Sequence, residues 1–215
     1  MKQESLIDSI IAENNLTAKQ TLILETAIKL FAENGYANTS TNEIVKDAGV
    51  SEGSLFKKFK SKKGLLTAII DPLTQSILPS VFQDVSWQLL KQNSHDLRTI
   101  IKMIVYDRLN FIEHNIEITK IFFGEALYSK DIRDDIFRNL PIDLINDLDQ
   151  VIDKLKEEKV LVDWANSEII NFLAYNIVGF ALKNIILFDI TKDDLKERIR
   201  NLIDLLVNGL SPLQV

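Results

Sequence analysis

The sequence contains no cysteine and has few glycine and proline residues. Without cysteine, the 215-residue chain can form neither a disulfide framework nor a thiolate metal site. No apolar run reaches the roughly 18 residues that a membrane-spanning helix needs. The N-terminal stretch MKQESLIDSIIAENN carries acidic side chains within its apolar part, unlike a secretory signal. These absences predict a cytoplasmic protein that does not lie in a membrane.

The sequence also lacks the motifs of several enzyme classes. It has no glycine-rich phosphate loop, no Gly-x-Ser-x-Gly and no Glu-x-x-His pair for a carboxylate metal site. The two histidines, His95 and His114, lie far apart in the chain and are expected near helix ends. We therefore predict a protein that is not an enzyme, with no catalytic residue, no cofactor and no metal site.

Charge is unevenly distributed along the chain. The net charge of −6 disfavours a nucleic-acid partner when the chain is taken as a whole. Residues 17–63, however, carry eight lysines against five acids, whereas residues 1–16 and 64–215 are both acidic. A basic segment in an otherwise acidic chain indicates one surface that faces a polyanion.

Apolar residues recur at helical spacing, and no alternating run is long enough for a strand, so the predicted fold class is all-α. A helix is predicted over residues 5–14. The four helices that follow have as their predicted caps Thr17, Ser40 or Thr41, Ser51 and Ser61. Pro72 should kink or end the fourth of these. Further helices are predicted over residues 80–92, 95–113, 115–128, 132–138, 142–158, 166–188 and 192–208.

Residues 39–66 read TSTNEIVKDAGVSEGSLFKKFKSKKGLL and combine a capped helix, a glycine turn, a second short helix and a lysine group. This order is typical of a helix-turn-helix, which places the N-terminal end of a short helix in the major groove of DNA. Gly49 supplies the positive φ of the turn, and Gly53 and Ser54 are small enough for close approach to bases. Four lysines are expected to neutralise DNA phosphates: Lys57, Lys58, Lys62 and Lys63.

These residues resemble the N-terminal domain of the TetR family of bacterial transcription regulators. The resemblance runs from about Ile23 to Leu66 and includes ILETAIKLFAENGYANTS and EIVKDAGVSEGSLFKKFKSKKGLL. It implies an N-terminal extension (1–16), a helix-turn-helix DNA-binding domain (17–64) and a helical ligand-binding and dimerisation domain (65–215). The residues that match positions where the family usually meets DNA are Thr39, Ser40, Ser51, Gly53, Ser54, Phe56, Lys57, Lys58 and Lys62.

The resemblance further implies a homodimeric repressor that a small, largely apolar inducer releases from a palindromic DNA operator. Segment 169–188 is apolar on most of its circumference, and the last helix carries a broad apolar stripe, so both are predicted to form the dimer interface. Glu125 lies on a predominantly apolar helix, where a buried carboxylate needs a partner such as a cationic ligand. The candidate ligand-pocket residues are Tyr106, Phe111, Phe122, Phe123, Glu125, Phe172 and Tyr175.

Two other classes of protein stay open on sequence alone. A helical enzyme is disfavoured by the missing motifs. A helical adaptor whose motif domain does not read DNA is the stronger alternative, because two positions depart from the family pattern. Phe56 stands where tyrosine is usual, which removes a phosphate hydrogen bond, and Glu52 stands where lysine, arginine or proline is common.

Overall fold

A computed structural model describes residues 5–77, 96–138, 142–188 and 191–212. Every regular element in these ranges is helical, which confirms the predicted all-α class. The helices are, in chain order, α1 (Leu6–Asn14), α2 (Ala18–Asn34), α3 (Thr41–Asp47), α4 (Glu52–Phe59), α5 (Lys62–Pro72), α6 (Leu97–His114), α7 (Ile116–Tyr128), α8 (Lys130–Arg138), α9 (Ile142–Glu157), α10 (Asn166–Ala181) and α11 (Lys192–Leu210). The helix predicted over residues 80–92 lies outside the described residues.

The chain divides into two compact units. Unit 1 comprises Met1–Ser80 and His114–Leu140, and unit 2 comprises Val81–Glu113 and Pro141–Val215. Helices α7 and α8 therefore belong with the N-terminal helices rather than with the rest of the C-terminal part. The boundary expected at residue 64 divides the chain by function, into a DNA-binding domain and a ligand-binding and dimerisation domain. It stays a prediction.

The core of unit 1 forms around α2. This helix buries the apolar face that the sequence predicts, and α7 packs along it with Ile118 and Ile121 buried. The buried residues of α2 include Ile23, Leu24, Ala27, Leu30 and Phe31. The two helices of the predicted DNA-binding motif, α3 and α4, also pack against α2 and are held in place by it.

Helix α1 is tied to α5 by a hydrogen bond that Pro72 makes possible. Proline has no N–H, so the carbonyl oxygen of Ala68, four residues earlier, has no helical donor at that position. The side-chain nitrogen Nδ2 of Asn14 donates to this oxygen at 2.8 Å. The α-helix ends at Pro72, as the sequence predicts, and the chain continues in a π-helical turn over Leu73–Ile77.

Replacing Asn14 with alanine should lower the free energy of unfolding by about 1–3 kcal/mol, because the Ala68 carbonyl then lacks a donor in a half-buried position. Pro72→Ala restores a backbone N–H that can reach Ala68. The cost of Asn14→Ala should therefore shrink in the Pro72→Ala background. Urea denaturation of the four proteins in a double-mutant cycle measures this coupling. Equal costs in both backgrounds would contradict the link.

Unit 2 has its own apolar core, in which α6, α9, α10 and α11 contribute buried residues. The helices α10 and α11 approach closely at Gly209, where an added Cβ would lie 2.7 Å from the ring of Phe172. Both helices also carry apolar residues that do not face this core. Large apolar side chains are exposed on or directly after these helices at Tyr175, Leu187, Phe188 and Leu205.

By length and composition alone, Asn166–Leu187 could also cross a membrane, and 22% of its most apolar window is buried within the chain. This is weak evidence for a membrane span, since core helices of soluble proteins meet the same criteria. The low burial instead shows that one copy of the chain leaves much of this apolar helix uncovered.

Candidate nucleic-acid interface

Helices α3 and α4 and the turn between them form the helix-turn-helix that the sequence predicts. Gly49 has φ +65°, and this positive φ makes glycine the suitable residue there. The N–H of Val50 donates to the carbonyl oxygen of Val45 at 3.0 Å and closes the end of α3. Val50, directly after the turn, is half-buried. Leu55 and Phe59 of α4 are buried, so the opposite side of α4 faces outwards.

The outward side of α4 presents mainly small groups. Ser51 takes the N-cap position, but its Oγ lies 3.0 Å from Oγ of Ser54 instead of capping a backbone N–H. Gly53 is exposed, and an added Cβ there would meet no heavy atom within 4 Å. Phe56 and Lys57 are the large exposed residues one turn further on. This surface can approach another molecule closely without obstruction from unit 1.

The N-terminal end of α3 is closed by a capping box. Ser40 Oγ accepts from the backbone N–H of Glu43 at 3.2 Å, and the Glu43 carboxylate accepts from the backbone N–H of Ser40 at 2.7 Å. The hydroxyl of Ser40 also donates to that carboxylate. These bonds to Ser40 hold the pKa of Glu43 below its usual value. Ser40 is exposed, as a DNA contact requires, but its hydroxyl is already engaged.

Thr39 does not present its hydroxyl to a partner, contrary to the sequence-based expectation. Its side chain is 2% exposed. Oγ1 lies within hydrogen-bond distance of two carbonyl oxygens at the end of α2, those of Leu30 at 3.2 Å and Gly35 at 3.0 Å. Thr39 thereby closes the end of α2 and fixes the approach to α3.

Lys62 is also placed differently from the expectation that it neutralises phosphate. Its Nζ donates to the carbonyl oxygens of Tyr36 at 2.8 Å, Ala37 at 3.2 Å and Thr39 at 2.9 Å. It also lies 4.5 Å from the centre of the Tyr36 ring. An ammonium group has three N–H donors, and all three are used here. Lys62 therefore ties the start of α5 to the loop between α2 and α3.

The remaining lysines of the group differ in availability. Lys57 and Lys63 are exposed. Lys58 is exposed too, but its Nζ donates to the carbonyl oxygen of Asn14 at 3.2 Å, at the end of α1. Sequence analysis did not single out Lys46, which is exposed in the last turn of α3. The sequence does not distinguish this single lysine from other surface lysines. Its position in the helix-turn-helix makes it a candidate for a DNA contact.

Comparison with known proteins identifies the family of the N-terminal domain. The profile of the bacterial regulatory proteins of the tetR family matches residues 23–69, which run from α2 into α5. Residues 23–69 therefore form an N-terminal domain of the TetR-family type. The match confirms the resemblance seen in the sequence. Helix α1 precedes the segment that the TetR-family profile matches.

Relatives of the chain include an HTH-type transcriptional regulator and a nucleoid occlusion factor. The uncharacterized HTH-type transcriptional regulator YvkB of Bacillus subtilis is 32% identical over 110 residues, which are 51% of this chain and 53% of YvkB. The nucleoid occlusion factor SlmA of Actinobacillus pleuropneumoniae is 28% identical over 120 residues, 55% of this chain and 56% of SlmA. The chain thus spans about half the length of the curated relatives it matches.

Solved structures of transcriptional regulators share the fold over nearly the whole chain. The regulator PfmR from Thermus thermophilus superposes with a TM-score of 0.64 at 18% identity, covering 90% of this chain and 99% of PfmR. The regulator FadR from Bacillus subtilis, in complex with stearoyl-CoA, gives 0.61 at 16% identity, covering 88% and 98%. At these identities the likeness establishes the fold: a helix-turn-helix followed by a helical C-terminal part.

Glu125 lies close enough to Lys62 for the two charges to interact. Burial raises the pKa of this half-buried carboxyl on α7, and the nearby Lys62 ammonium lowers it. Tyr36 completes the group, since burial and the Glu125 charge raise the pKa of its phenol. Glu125, which the sequence predicts as a pocket residue, therefore lies near Lys62 and Tyr36, at the loop before α3.

The other predicted pocket residues are divided between the two units. In unit 1, the rings of Phe122 and Phe123 meet edge to face with centroids 5.8 Å apart, and both are half-buried. In unit 2, Phe172 packs edge to face on Trp164 with centroids 6.0 Å apart, so its ring serves the packing of α10. Tyr175 is 71% exposed.

Two residues of α6 complete the predicted pocket set. Tyr106 is exposed, and Phe111 is half-buried beneath the Arg108 guanidinium, which lies 5.5 Å from its ring centre. One described groove, of 380 Å³, lies in unit 1 and includes Asn14 and Lys58. Another, of 660 Å³, lies in unit 2 and includes Trp164. Neither groove is lined by a predicted pocket residue.

Proposed function

We propose that this chain is a homodimeric DNA-binding transcription regulator, a repressor that leaves its operator when a largely apolar ligand binds residues 65–215. The observation that carries the proposal is the outward side of α4. It follows a helix-turn-helix turn, it is rigidly backed by buried Leu55 and Phe59, and it exposes small groups and Lys57. This is the geometry with which a short helix enters a groove about 12 Å wide.

The proposed DNA contacts follow from exposure. On α4 they are the predicted residues Ser51, Gly53, Ser54, Phe56, Lys57 and Lys58. Ser40 at the start of α3 remains a candidate through its exposed position, and Lys63 replaces Lys62 as a phosphate contact. We assign Thr39 and Lys62 instead to fixing the conformation of the loop between α2 and α3, which positions the helix-turn-helix.

The exposed apolar residues of α10 and α11 support a dimer through the last two helices. A helix with this much uncovered apolar surface is stabilised when a second copy buries it. A two-fold dimer presents two α4 helices, and half-sites one turn apart require their centres to be about 34–36 Å apart. The operator is accordingly proposed to be palindromic duplex DNA.

We propose an apolar ligand because another protein with this fold has been solved with a molecule of that kind. The FadR structure of the same fold is a complex with stearoyl-CoA. In this chain Phe122 and Phe123 of unit 1 are half-buried aromatic candidates for lining a pocket. A ligand that favours the wrong spacing of the two α4 helices by about 1–3 kcal/mol would weaken operator binding roughly 5–150-fold. Such a regulator works in the cytoplasm.

The test is selection of a duplex from a random-sequence library, followed by fluorescence anisotropy of that duplex at several salt concentrations. Affinity should fall steeply with salt, with a slope of log K against log salt of about −0.9 per phosphate contact. Lys57→Ala should make this slope shallower by about 1 in each half-site, because Lys57 is exposed beside the groove-facing residues. Lys102→Ala, which removes an exposed lysine of α6 in unit 2, is the matched control and should leave the slope unchanged.

The same experiment distinguishes the proposed regulator from the adaptor alternative. An adaptor that kept the fold but lost DNA reading would select no consensus from the library. It would also show no salt-sensitive binding to the DNA upstream of its own reading frame. Absence of binding at low salt would therefore overturn the proposed regulator.

A further inference from the structure

Phe56 is an aromatic side chain on the proposed DNA-reading side of α4. It is 39% exposed, whereas the other apolar side chains of α4, Leu55 and Phe59, are buried. Residues three or four apart on a helix are neighbours, so Phe56 stands next to Gly53 one turn earlier. Lys57 follows it on the same outward side. The phenyl ring is thus exposed, one turn after a glycine, on the surface that would meet DNA.

Gly53 leaves room beside this ring. A Cβ at Gly53 would have no heavy atom within 4 Å, so nothing of unit 1 covers the space in front of α4. The two hydroxyls nearest to the start of the helix, those of Ser51 and Ser54, are paired with each other at 3.0 Å. The ring of Phe56 is consequently the largest apolar group that α4 can insert into a groove.

A phenyl ring has neither donor nor acceptor, so it cannot bind a phosphate or the polar edge of a base by hydrogen bonding. In the major groove, the apolar group on a base edge is the 5-methyl group of thymine. Burying a methyl group against an aromatic ring removes apolar surface from water on both sides. Cytosine, adenine and guanine offer the ring no comparable group.

We propose that Phe56 reads thymine through its 5-methyl group, so that each operator half-site contains a thymine opposite the outward side of α4. This inference rests on the proposed DNA-binding function and adds a specificity residue to it. It assigns to Phe56 base discrimination rather than the backbone contact expected at its position.

The probe is the duplex selected from the random library, with each thymine replaced in turn by deoxyuridine. This change removes only the 5-methyl group and keeps base pairing. Replacement in one half-site should weaken binding by the native protein about four-fold, and replacement in both half-sites about fifteen-fold, as expected for one buried methyl group per half-site. Replacements at the other thymines should have no effect.

Variants of the full chain connect the methyl effect to Phe56. Phe56→Ala should bind the thymine and deoxyuridine duplexes equally, because the ring that meets the methyl group is gone. Lys57→Ala should bind both more weakly and keep the four-fold ratio between them. Circular dichroism checks that Phe56→Ala is folded, as expected for a side chain exposed to 39%. Phe56→Leu, which keeps an apolar side chain, should retain part of the ratio.

Two results would overturn the inference while leaving DNA binding intact. In the first, no deoxyuridine replacement changes the affinity of the native protein. In the second, Phe56→Ala keeps the same thymine-to-deoxyuridine ratio as the native protein. A failure of the proposed function looks different, because then no duplex is selected at all, and that result overturns both proposals together.

Discussion

Replacing Lys62 with alanine should lower the free energy of unfolding by about 2–3 kcal/mol, because hydrogen bonds to a charged group stabilise more than neutral ones. The change removes the donor to three backbone carbonyls and the cation above the Tyr36 ring. It should leave the salt dependence of operator binding unchanged in the folded protein, since the donors of this ammonium are taken by backbone carbonyls. Urea denaturation gives the first quantity, and anisotropy at several salt concentrations gives the second.

Lys63 provides the matched control for this prediction. It is the next residue in the chain and has the same side chain, but it is exposed. Lys63→Ala should leave the free energy of unfolding unchanged and make the salt slope shallower by about 1 in each half-site. If Lys62→Ala instead altered the slope as Lys63→Ala does, and cost no stability, then the phosphate role expected from the sequence would be correct.

The contrast between these two lysines shows where prediction from sequence stops. Helix positions follow from local patterns: the apolar spacing of α2, Gly49 in the turn and the caps at Ser40 and Ser61 are all found as predicted. The role of Lys62 depends on carbonyl groups of residues 36–39, far away along the chain. The sequence motif does not distinguish a lysine that binds the carbonyls of a loop from one that binds a DNA phosphate.

The same limit applies to Thr39 and Glu125. Thr39 belongs to a hydroxyl-rich stretch typical of a helix start, yet its side chain turns inwards to the end of α2. Glu125 is recognisable in the sequence as an acid on an apolar helix. Its neighbour, Lys62, comes from the N-terminal part of the chain and could not be inferred from spacing. Side-chain roles that depend on contacts between distant segments therefore require the structure, while the positions of the helices do not.

Leu205→Glu should convert the proposed dimer into monomers at micromolar concentration and weaken operator binding at least 30-fold, the equivalent of about 2 kcal/mol at an interface hot spot. Leu205 is 54% exposed on α11 and lies with Tyr175 among the uncovered apolar residues of the last two helices. A carboxylate placed in an apolar interface must be buried without a partner, which is costly. Sedimentation equilibrium measures the assembly state, and anisotropy with the selected duplex measures the affinity.

Leu127→Glu separates a dimer interface from a general effect of surface charge. Leu127, at the end of α7 in unit 1, is 75% exposed, more than Leu205, so the same substitution adds the same charge at a site outside the last two helices. This variant should remain a dimer and bind the operator with native affinity. Because both leucines are exposed within one chain, neither substitution should unfold the protein, and thermal denaturation checks this. A Leu205→Glu protein that sediments as a dimer and binds normally would show that the apolar surface of α10 and α11 is not where two copies meet, and that the spacing of the two α4 helices is set elsewhere.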